Sequence, residues 1–191
     1  MIEQRIRESI KVKQDLLNDS GVIGAIDSAV KAITECFRSG NKVWLCGNGG
    51  SAADAQHIAA ELSGRFYLNR APLPAESFTV NTSYLTAVSN DFGFNDVFSR
   101  MVQAQCRKND VLIGISTSGN SKNVVNAFQM AKETGTTCIA LLGCGGGELN
   151  YLADIAIVVA SDDTPRIQES HILIGHIICE LVESSVFANQ K

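Results

Sequence analysis

The chain has 191 residues, of which 45% are hydrophobic and 19% are charged, and its formal net charge is −4. This length supports one substantial core and is too short for two ordinary domains. The small negative charge argues against nucleic acid or an anionic membrane surface as partners, because it supplies no general attraction to either, although a local phosphate pocket remains compatible with it.

The N-terminal segment lacks the apolar core of a secretory signal, and the cysteines lack the spacing of a zinc-binding motif. Charges occur in every turn of the N-terminal segment, and no apolar run reaches the about 18 residues of a membrane span, so we expect a cytoplasmic protein. No two cysteines have C-x-x-C spacing, so all six are expected to be reduced and mostly buried. They are Cys36, Cys46, Cys106, Cys138, Cys144 and Cys179.

In chain order, two helical patterns come first, at about 2–17 and 22–37. Five short apolar runs follow, and each is predicted to be a buried strand: 43–46, 77–80, 111–115, 138–142 and 155–159. The segments between them are long enough for helical crossovers, which predicts a five-stranded parallel sheet with helices on both faces. The expected fold class is therefore α/β, a three-layer α/β/α sandwich with additional N-terminal helices.

A long final helix at about 166–187 carries a broad apolar stripe. Together with the N-terminal helices it offers more apolar surface than one small sheet can cover, so we expect a homo-oligomer. We divide the chain into an N-terminal helical oligomerisation segment, 1–32, and an α/β domain, 33–191.

Two polar loops follow the first and third predicted strands. The first is Gly47-Asn48-Gly49-Gly50-Ser51 and the second is Ser116-Thr117-Ser118-Gly119-Asn120-Ser121. Glycines allow close backbone approach, and hydroxyls with free N–H groups at a helix start bind anions. With the flavodoxin-like strand order 2-1-3-4-5, both loops would face one ligand crevice. Gly47 and Gly49 also fit a dinucleotide fingerprint, but Asn81 stands where that fold needs a ribose-binding carboxylate.

These loops resemble a known family. The second loop is similar to the phosphate-binding signature of sugar-isomerase (SIS) domains, and motifs along nearly the whole chain resemble the sedoheptulose 7-phosphate isomerases of that family. Those motifs are residues 46–57, Glu61, 64–66, 90–96, 110–116, 166–169 and His176. The resemblance implies a homotetramer with active sites between subunits and one zinc ion per site. It also implies conversion of D-sedoheptulose 7-phosphate into D-glycero-D-manno-heptose 7-phosphate, the first step toward activated heptose for surface polysaccharide.

Such an isomerisation moves a proton between C1 and C2 through an enediol, which requires a base and a second proton carrier. We assign Glu61 as the base, since it lies in the helix that follows the first loop. His176 is its acid/base partner, and the resemblance alone separates it from His171, which we expect to be structural.

His57 and Glu61 are four residues apart and therefore share a helix face, which is compatible with metal ligation or with a simple surface hydrogen bond. The resemblance favours zinc, with Gln168 and His176 completing the ligand set. Gln168 and His176 are about 12 Å apart along one helix. Either both side chains extend toward the ion or the ligands come from different subunits.

Substrate contacts are expected from both loops and from one further segment. The phosphate is assigned to Ser116, Thr117, Ser118 and Ser121. The sugar is assigned to Asn48, Gly49, Gly50, Glu61 and Gln168, with Asn90 and Asp91 closing one side. Asp91 is equally compatible with a turn or helix-end role.

Two other functions remain open at this point. Close relatives of this family bind the replication initiator DnaA without catalysis, and these lack the glutamate four residues after the histidine, which is present here as Glu61. A sugar-phosphate-sensing regulatory domain would normally accompany a DNA-binding module, and no basic patch of that kind occurs in the sequence.

Overall fold

The computed structural model describes residues 1–188, and in this part of the chain strands and helices alternate. The strands are β1 Val43–Gly47, β2 Ala75–Ser77, β3 Val111–Ser116, β4 Thr137–Leu142 and β5 Ile155–Val158. The helices are α1 Ile2–Asn18, α2 Ser20–Arg38, α3 Gly50–Ser63, α4 Thr82–Asp91, α5 Val97–Gln105, α6 Lys122–Thr134, α7 Leu149–Leu152 and α8 Thr164–Val186. A single 3₁₀ turn, Phe94–Asp96, precedes α5.

All five strands form one parallel sheet in the order β2-β1-β3-β4-β5. This confirms the predicted flavodoxin-like order and the α/β/α class. Because the order reverses between β1 and β3, the loops that leave these two strands lie side by side at the carboxyl edge of the sheet.

Two hydrophobic clusters cover the two faces of the sheet, since side chains alternate along each strand. On one face Leu45 and Ile113 pack against α2, α3 and α8. On the other face Trp44 and Leu112 pack against α5, α6 and Phe78. Both faces of the central strands are therefore buried, as continuous apolar runs predict.

Local signals explain several helix starts. The Asp19 side chain accepts hydrogen bonds from the amides of Gly21 and Val22 and so caps α2. The Asn81 side chain accepts from the amide of Tyr84 and caps α4. Pro165 occupies the first turn of α8, where no backbone N–H is needed.

One predicted strand was misplaced. The second strand was expected at 77–80, but β2 is Ala75–Ser77. Phe78 still donates its amide to Leu45, and after it Thr79 binds the Ser77 hydroxyl at 2.7 Å while Asn81 begins α4. The β-forming residues Phe78 to Val80 thus lie beyond an edge strand that has a single neighbour, where capping outweighs propensity.

The N-terminal helix α1 contributes no buried residue to the core. Its apolar side chains Ile2, Ile6 and Ile10 are 80%, 56% and 48% exposed. By contrast, α2 runs across position 32 and buries Ile26, Val30 and Ile33 in the common core. The division of the chain between residues 32 and 33 stays a prediction. The last three residues of the predicted α/β domain, 189–191, lie outside the described residues.

Candidate functional site

The glycine loop turns β1 directly into α3. A Cβ on Gly47 would stand 2.6 Å from the carbonyl oxygen of Ser51, and Gly49 has φ 56° and ψ −121°, a conformation that favours glycine. This turn presents the first amides of α3 at the carboxyl edge of the sheet. The amino end of a helix in this position attracts anionic or polar ligand groups.

The hydroxyl loop after β3 is organised by its own side chains. The Ser116 and Ser121 hydroxyl oxygens are 2.9 Å apart, and the amide of Gly119 donates to the Ser116 hydroxyl at 3.2 Å. Ser116 is buried, Thr117 and Ser121 are half-buried, and Ser118 is exposed. The loop therefore surrounds the amino end of α6 with hydroxyl groups, a suitable environment for a phosphate.

A pair of amide side chains joins the two loops. Asn48 and Asn123 donate to each other at 2.9 Å in both directions. Asn123 is only 3% exposed and its Oδ1 atom also accepts from the amide of Val124. The predicted adjacency of the two loops is therefore present in the fold, and Asn48 keeps one N–H and one lone pair free for a ligand.

A third loop, residues 143–148, packs behind the hydroxyl loop and was missed in the sequence. The amide of Leu149 donates to the Gly119 carbonyl, and the amide of Glu148 donates to Asn120 Oδ1, both at 2.9 Å. Gly145, Gly146 and Gly147 all have positive φ. This run of glycines was the available signal, since it follows β4 at the same edge of the sheet.

His57, Glu61 and His176 meet at one point between α3 and α8. Their ligand atoms all lie within 4.8 Å of one another. The Nε2 atom of His57 is 3.2 Å from Glu61 Oε1 and 3.5 Å from His176 Nε2. The imidazole rings are nearly perpendicular, with centroids 5.0 Å apart. The carboxylate and imidazole assigned to catalysis are therefore neighbours in the fold.

The donor set of this cluster fits zinc. Two imidazole nitrogens and one carboxylate oxygen are ligands that zinc takes in catalytic sites, where a fourth position stays open. Tetrahedral ligands about 2.0–2.1 Å from zinc stand about 3.3 Å from one another. The separations of 3.2 and 3.5 Å match that spacing. Zinc and this ligand role remain proposals.

Asp54 adds a carboxylate beside the cluster. Its Oδ2 atom is buried and has no hydrogen-bond partner among the described residues. Burial raises the pKa of Asp54, while the nearby His57 and His176 oppose the rise. The sequence signal was its position three residues before His57, which places both on one helix face.

Within this chain, Gln168 lies next to the glycine loop. A Cβ on Gly50 would stand 2.5 Å from the Gln168 side-chain nitrogen. His57 follows Gly50 by seven residues, a rise of about 10 Å along α3. This position suits contact with a ligand at the loop, and both predicted roles of Gln168, in substrate binding and as a metal ligand, stay predictions.

Asn90 and Asp91 form the exposed end of α4, where the Asn90 amide donates to Asp91 at 2.9 Å. Within residues 1–188, the side-chain hydrogen bond of this pair does not reach either of the two loops. Their role in substrate binding therefore stays a prediction. His171, expected to be structural, is fully buried and its Nε2 atom is 3.0 Å from the Leu142 carbonyl.

The six cysteines were expected to be reduced and mostly buried. Five cysteines are buried and Cys144 is exposed, and all six are free. Burial raises the pKa of Cys36, Cys106, Cys138 and Cys179 to about 12, so these thiols are protonated at neutral pH. Between residues 1 and 188, no helix has both the length and the apolar character to cross a membrane.

Comparison with known proteins identifies the family. The SIS domain model matches residues 16–143. The phosphoheptose isomerase of Sulfurimonas denitrificans is 50% identical over 98% of this chain and 96% of its own length. The structure of a phosphoheptose isomerase from Neisseria gonorrhoeae superposes with a TM-score of 0.90 at 41% identity, covering 96% of this chain and 97% of that one. A phosphoheptose isomerase from Francisella tularensis gives 0.92 at 37% identity, with 96% of both chains covered. The chain therefore belongs to the phosphoheptose isomerase family of SIS domain proteins.

Proposed function

We propose that this protein converts D-sedoheptulose 7-phosphate into D-glycero-D-manno-heptose 7-phosphate by ketose–aldose isomerisation. The observation that carries the proposal is the convergence of Glu61 and His176 on one point, in a chain whose hydroxyl loop suits a phosphate. Relatives named phosphoheptose isomerase, about 50% identical along the whole chain, support the same reaction. No observation favours the alternative of a non-catalytic partner of DnaA.

Substrate binding is divided between the two loops. The phosphate is bound at the amino end of α6 by the hydroxyl groups of Ser116, Thr117, Ser118 and Ser121, and the first and last of these also hydrogen-bond each other. The glycine loop meets the sugar hydroxyls through Asn48, Gly49, Gly50 and the neighbouring Gln168. Asn90 and Asp91 are proposed to close one side of the bound sugar.

Proton transfer is assigned to the convergent pair. Glu61 takes a proton from C1 of the ketose and returns it to C2, which gives the aldose through the enediol. His176 takes the proton from the C1 hydroxyl and delivers it to the C2 oxygen, so that no charge builds up on either oxygen. Both groups are partly exposed and can reach a ligand that the loops of a neighbouring protomer hold.

The zinc proposal uses His57, Glu61 and His176 as ligands. When bound, the ion acts as a Lewis acid that polarises an oxygen of the substrate. As a zinc ligand Glu61 would be a weaker base, because the metal would stabilise its carboxylate, so the two roles proposed for Glu61 would compete. Gln168 as a fourth ligand must come from another protomer, because it lies about 10 Å along α3 from His57 in its own.

A homotetramer, as the family resemblance implies, is proposed here, and the geometry of the chain supports active sites shared between subunits. Glu61 follows Gly50 by eleven residues, a rise of about 16 Å on α3, so Glu61 lies far from the loops of its own chain. A neighbouring protomer can bring the loops and the cluster together. The exposed apolar face of α1 gives that neighbour a surface to bury, in line with an oligomerisation role for residues 1–32. The proposed location is the cytoplasm, where the product supplies heptose for surface polysaccharide such as lipopolysaccharide.

Replacing Glu61 with glutamine tests the proposal. Glu61→Gln keeps the size of the side chain and removes the base, so turnover of sedoheptulose 7-phosphate is expected to fall by about 10²–10⁴, or about 3–5 kcal/mol in the barrier. KM is expected to change little. Glu133→Gln is the matched control, since Glu133 is exposed on α6 across the sheet. If Glu61→Gln turns over sedoheptulose 7-phosphate at the wild-type rate, Glu61 is not the base.

A further inference from the structure

A buried ion pair joins the segment that follows α3 to α8, next to the cluster. Arg70 Nε and Glu183 Oε1 are 2.8 Å apart, and the two side chains are only 1% and 2% exposed. Transferring two charges out of water is costly, and their attraction compensates only where further hydrogen bonds satisfy the remaining atoms. The partners of this pair therefore indicate what it holds in place.

Glu183, on α8, binds the segment that follows α3. Its carboxylate accepts from three consecutive amides, those of Phe66 at 3.0 Å, Tyr67 at 2.8 Å and Leu68 at 2.9 Å. Burial alone would raise the pKa of Glu183, but these amides and Arg70 hold it below its ordinary value. The carboxylate is ionised at neutral pH and anchors this segment against α8.

Arg70 binds the end of α3 itself. Its guanidinium donates to the backbone carbonyls of Glu61 at 3.0 Å, Leu62 at 2.9 Å and Gly64 at 3.2 Å. A positive charge at the carboxyl end of a helix is favourable, and these carbonyls have no partner within the helix. Arg70 thus fixes the last turn of α3, including the backbone of Glu61.

Both ends of this network lie next to the cluster. Glu183 follows His176 by seven residues, which is two turns along the same face of α8. Phe66, whose amide Glu183 binds, places its ring 5.9 Å from the ring of His176. A shift of the ion pair would therefore move Glu61 and His176 relative to each other.

We propose that Arg70 and Glu183 are positioning residues that set the spacing of α3 and α8 and so hold Glu61, His57 and His176 in convergence. Neither side chain touches the substrate in this scheme. The role in turnover depends on the isomerase function proposed above, whereas the role in assembling the zinc-binding cluster does not.

Zinc affinity and turnover of Glu183→Gln test the inference together. Glutamine keeps the size and one acceptor oxygen but leaves the Arg70 charge unpaired in the core. Zinc affinity, measured by competition with a chromophoric chelator, is expected to fall about 10- to 100-fold, as is usual when an outer partner of a metal site is lost. The kcat on sedoheptulose 7-phosphate is expected to fall by a similar factor, with KM nearly unchanged.

The matched control is Asp110→Asn. Asp110 is also a buried carboxylate, 3% exposed, and it accepts from the Trp44 indole and from the amides of Lys42 and Arg107. It precedes β3, at the edge of the sheet opposite the loops. This variant is expected to lose stability while keeping the wild-type zinc affinity and kcat.

The second variant, Arg70→Lys, keeps the charge next to Glu183 but cannot reach the three carbonyls of α3 together. Arg70→Lys is expected to weaken zinc binding less than Glu183→Gln does. If Glu183→Gln does not fold, the test is made with Arg70→Lys. Folded variants with wild-type zinc affinity would overturn the inference, as would an equal loss in Asp110→Asn. If the wild type binds zinc but does not turn over sedoheptulose 7-phosphate, the function fails while the zinc comparison still decides the positioning role.

Discussion

Gly119→Ala tests whether the hydroxyl loop depends on the third loop behind it. Gly119 has φ +67°, and a Cβ placed there would stand 1.9 Å from the Gly146 carbonyl oxygen. Ordinary contacts begin at 3.4 Å, so residues 146–147 or the hydroxyl loop must move by more than 1 Å. Two hydrogen bonds span this contact, from the Leu149 amide to Gly119 and from the Glu148 amide to Asn120.

The expected loss follows from these two effects. The left-handed backbone costs an alanine about 1–2 kcal/mol. Losing both hydrogen bonds adds about 1 kcal/mol each. The variant should therefore lose about 3–4 kcal/mol of unfolding free energy, which lowers Tm by roughly 10 °C in a chain of this length. Since Ser118 and Ser121 move with the loop, KM for the sugar phosphate should rise about tenfold or more.

Gly40→Ala is a control that separates the cost of backbone strain from the cost of steric overlap. Gly40 has φ +76° with nothing within 4 Å of the added Cβ, and it follows α2, remote from the loops. This control should lose only the about 1–2 kcal/mol of backbone strain and keep the wild-type KM. Thermal melts and steady-state kinetics of both variants are the assay. Equal melting temperatures and equal KM values for Gly119→Ala and Gly40→Ala would show that the third loop does not support the hydroxyl loop.

Three other outcomes are expected. Co-expressed Glu61→Gln and Ser118→Asp chains, each inactive alone, should regain about a quarter of wild-type activity if protomers share sites, and none if each site lies within one chain. Removing zinc with a chelator should abolish turnover, and added zinc should restore it in the wild type but not in His57→Ala; full activity of the metal-free enzyme would contradict the zinc proposal. Burial lowers the pKa of His171, so the unfolded state binds a proton more readily, and stability should fall as pH drops below about 6.5. Urea midpoints between pH 7.5 and 5.5 should show this slope, and His171→Asn should reduce it.

The parallel sheet followed from local features of the sequence, whereas its strand order was assumed and is confirmed by the structure. Short apolar runs separated by crossover-length segments define a parallel sheet, and two polar loops after the first and third runs mark the point where its order reverses. The error at β2 has a local cause as well. Phe78, Thr79 and Val80 favour strand structure, but only β1 is available for pairing, and the Asn81 cap ends the strand before them.

A residue of the candidate site could be predicted from the sequence pattern only where the pattern lies within one helix or loop. His57 and Glu61 share a face of α3 by spacing alone, whereas His176 joined them through family resemblance. The ion pair of Arg70 and Glu183 gave no signal, because its partners are 113 residues apart in the chain. Likewise, the contact of Gly119 with residues 146–147 depends on the register of two loops that follow adjacent strands.

The packing of α3 on α8 explains why His176 and not His171 meets the cluster. The two helices run parallel, with Gly50 beside Gln168, Ile58 beside Gly175, and Phe66 bound by Glu183. At Gly175 a Cβ would stand 2.6 Å from the Ile58 side chain, so the missing side chain lets the helices approach closely beside the cluster. In this register His176 faces His57, while His171 turns toward the sheet and bonds the end of β4. The choice between the two histidines therefore depends on how α3 packs against α8, which a helical pattern does not reveal.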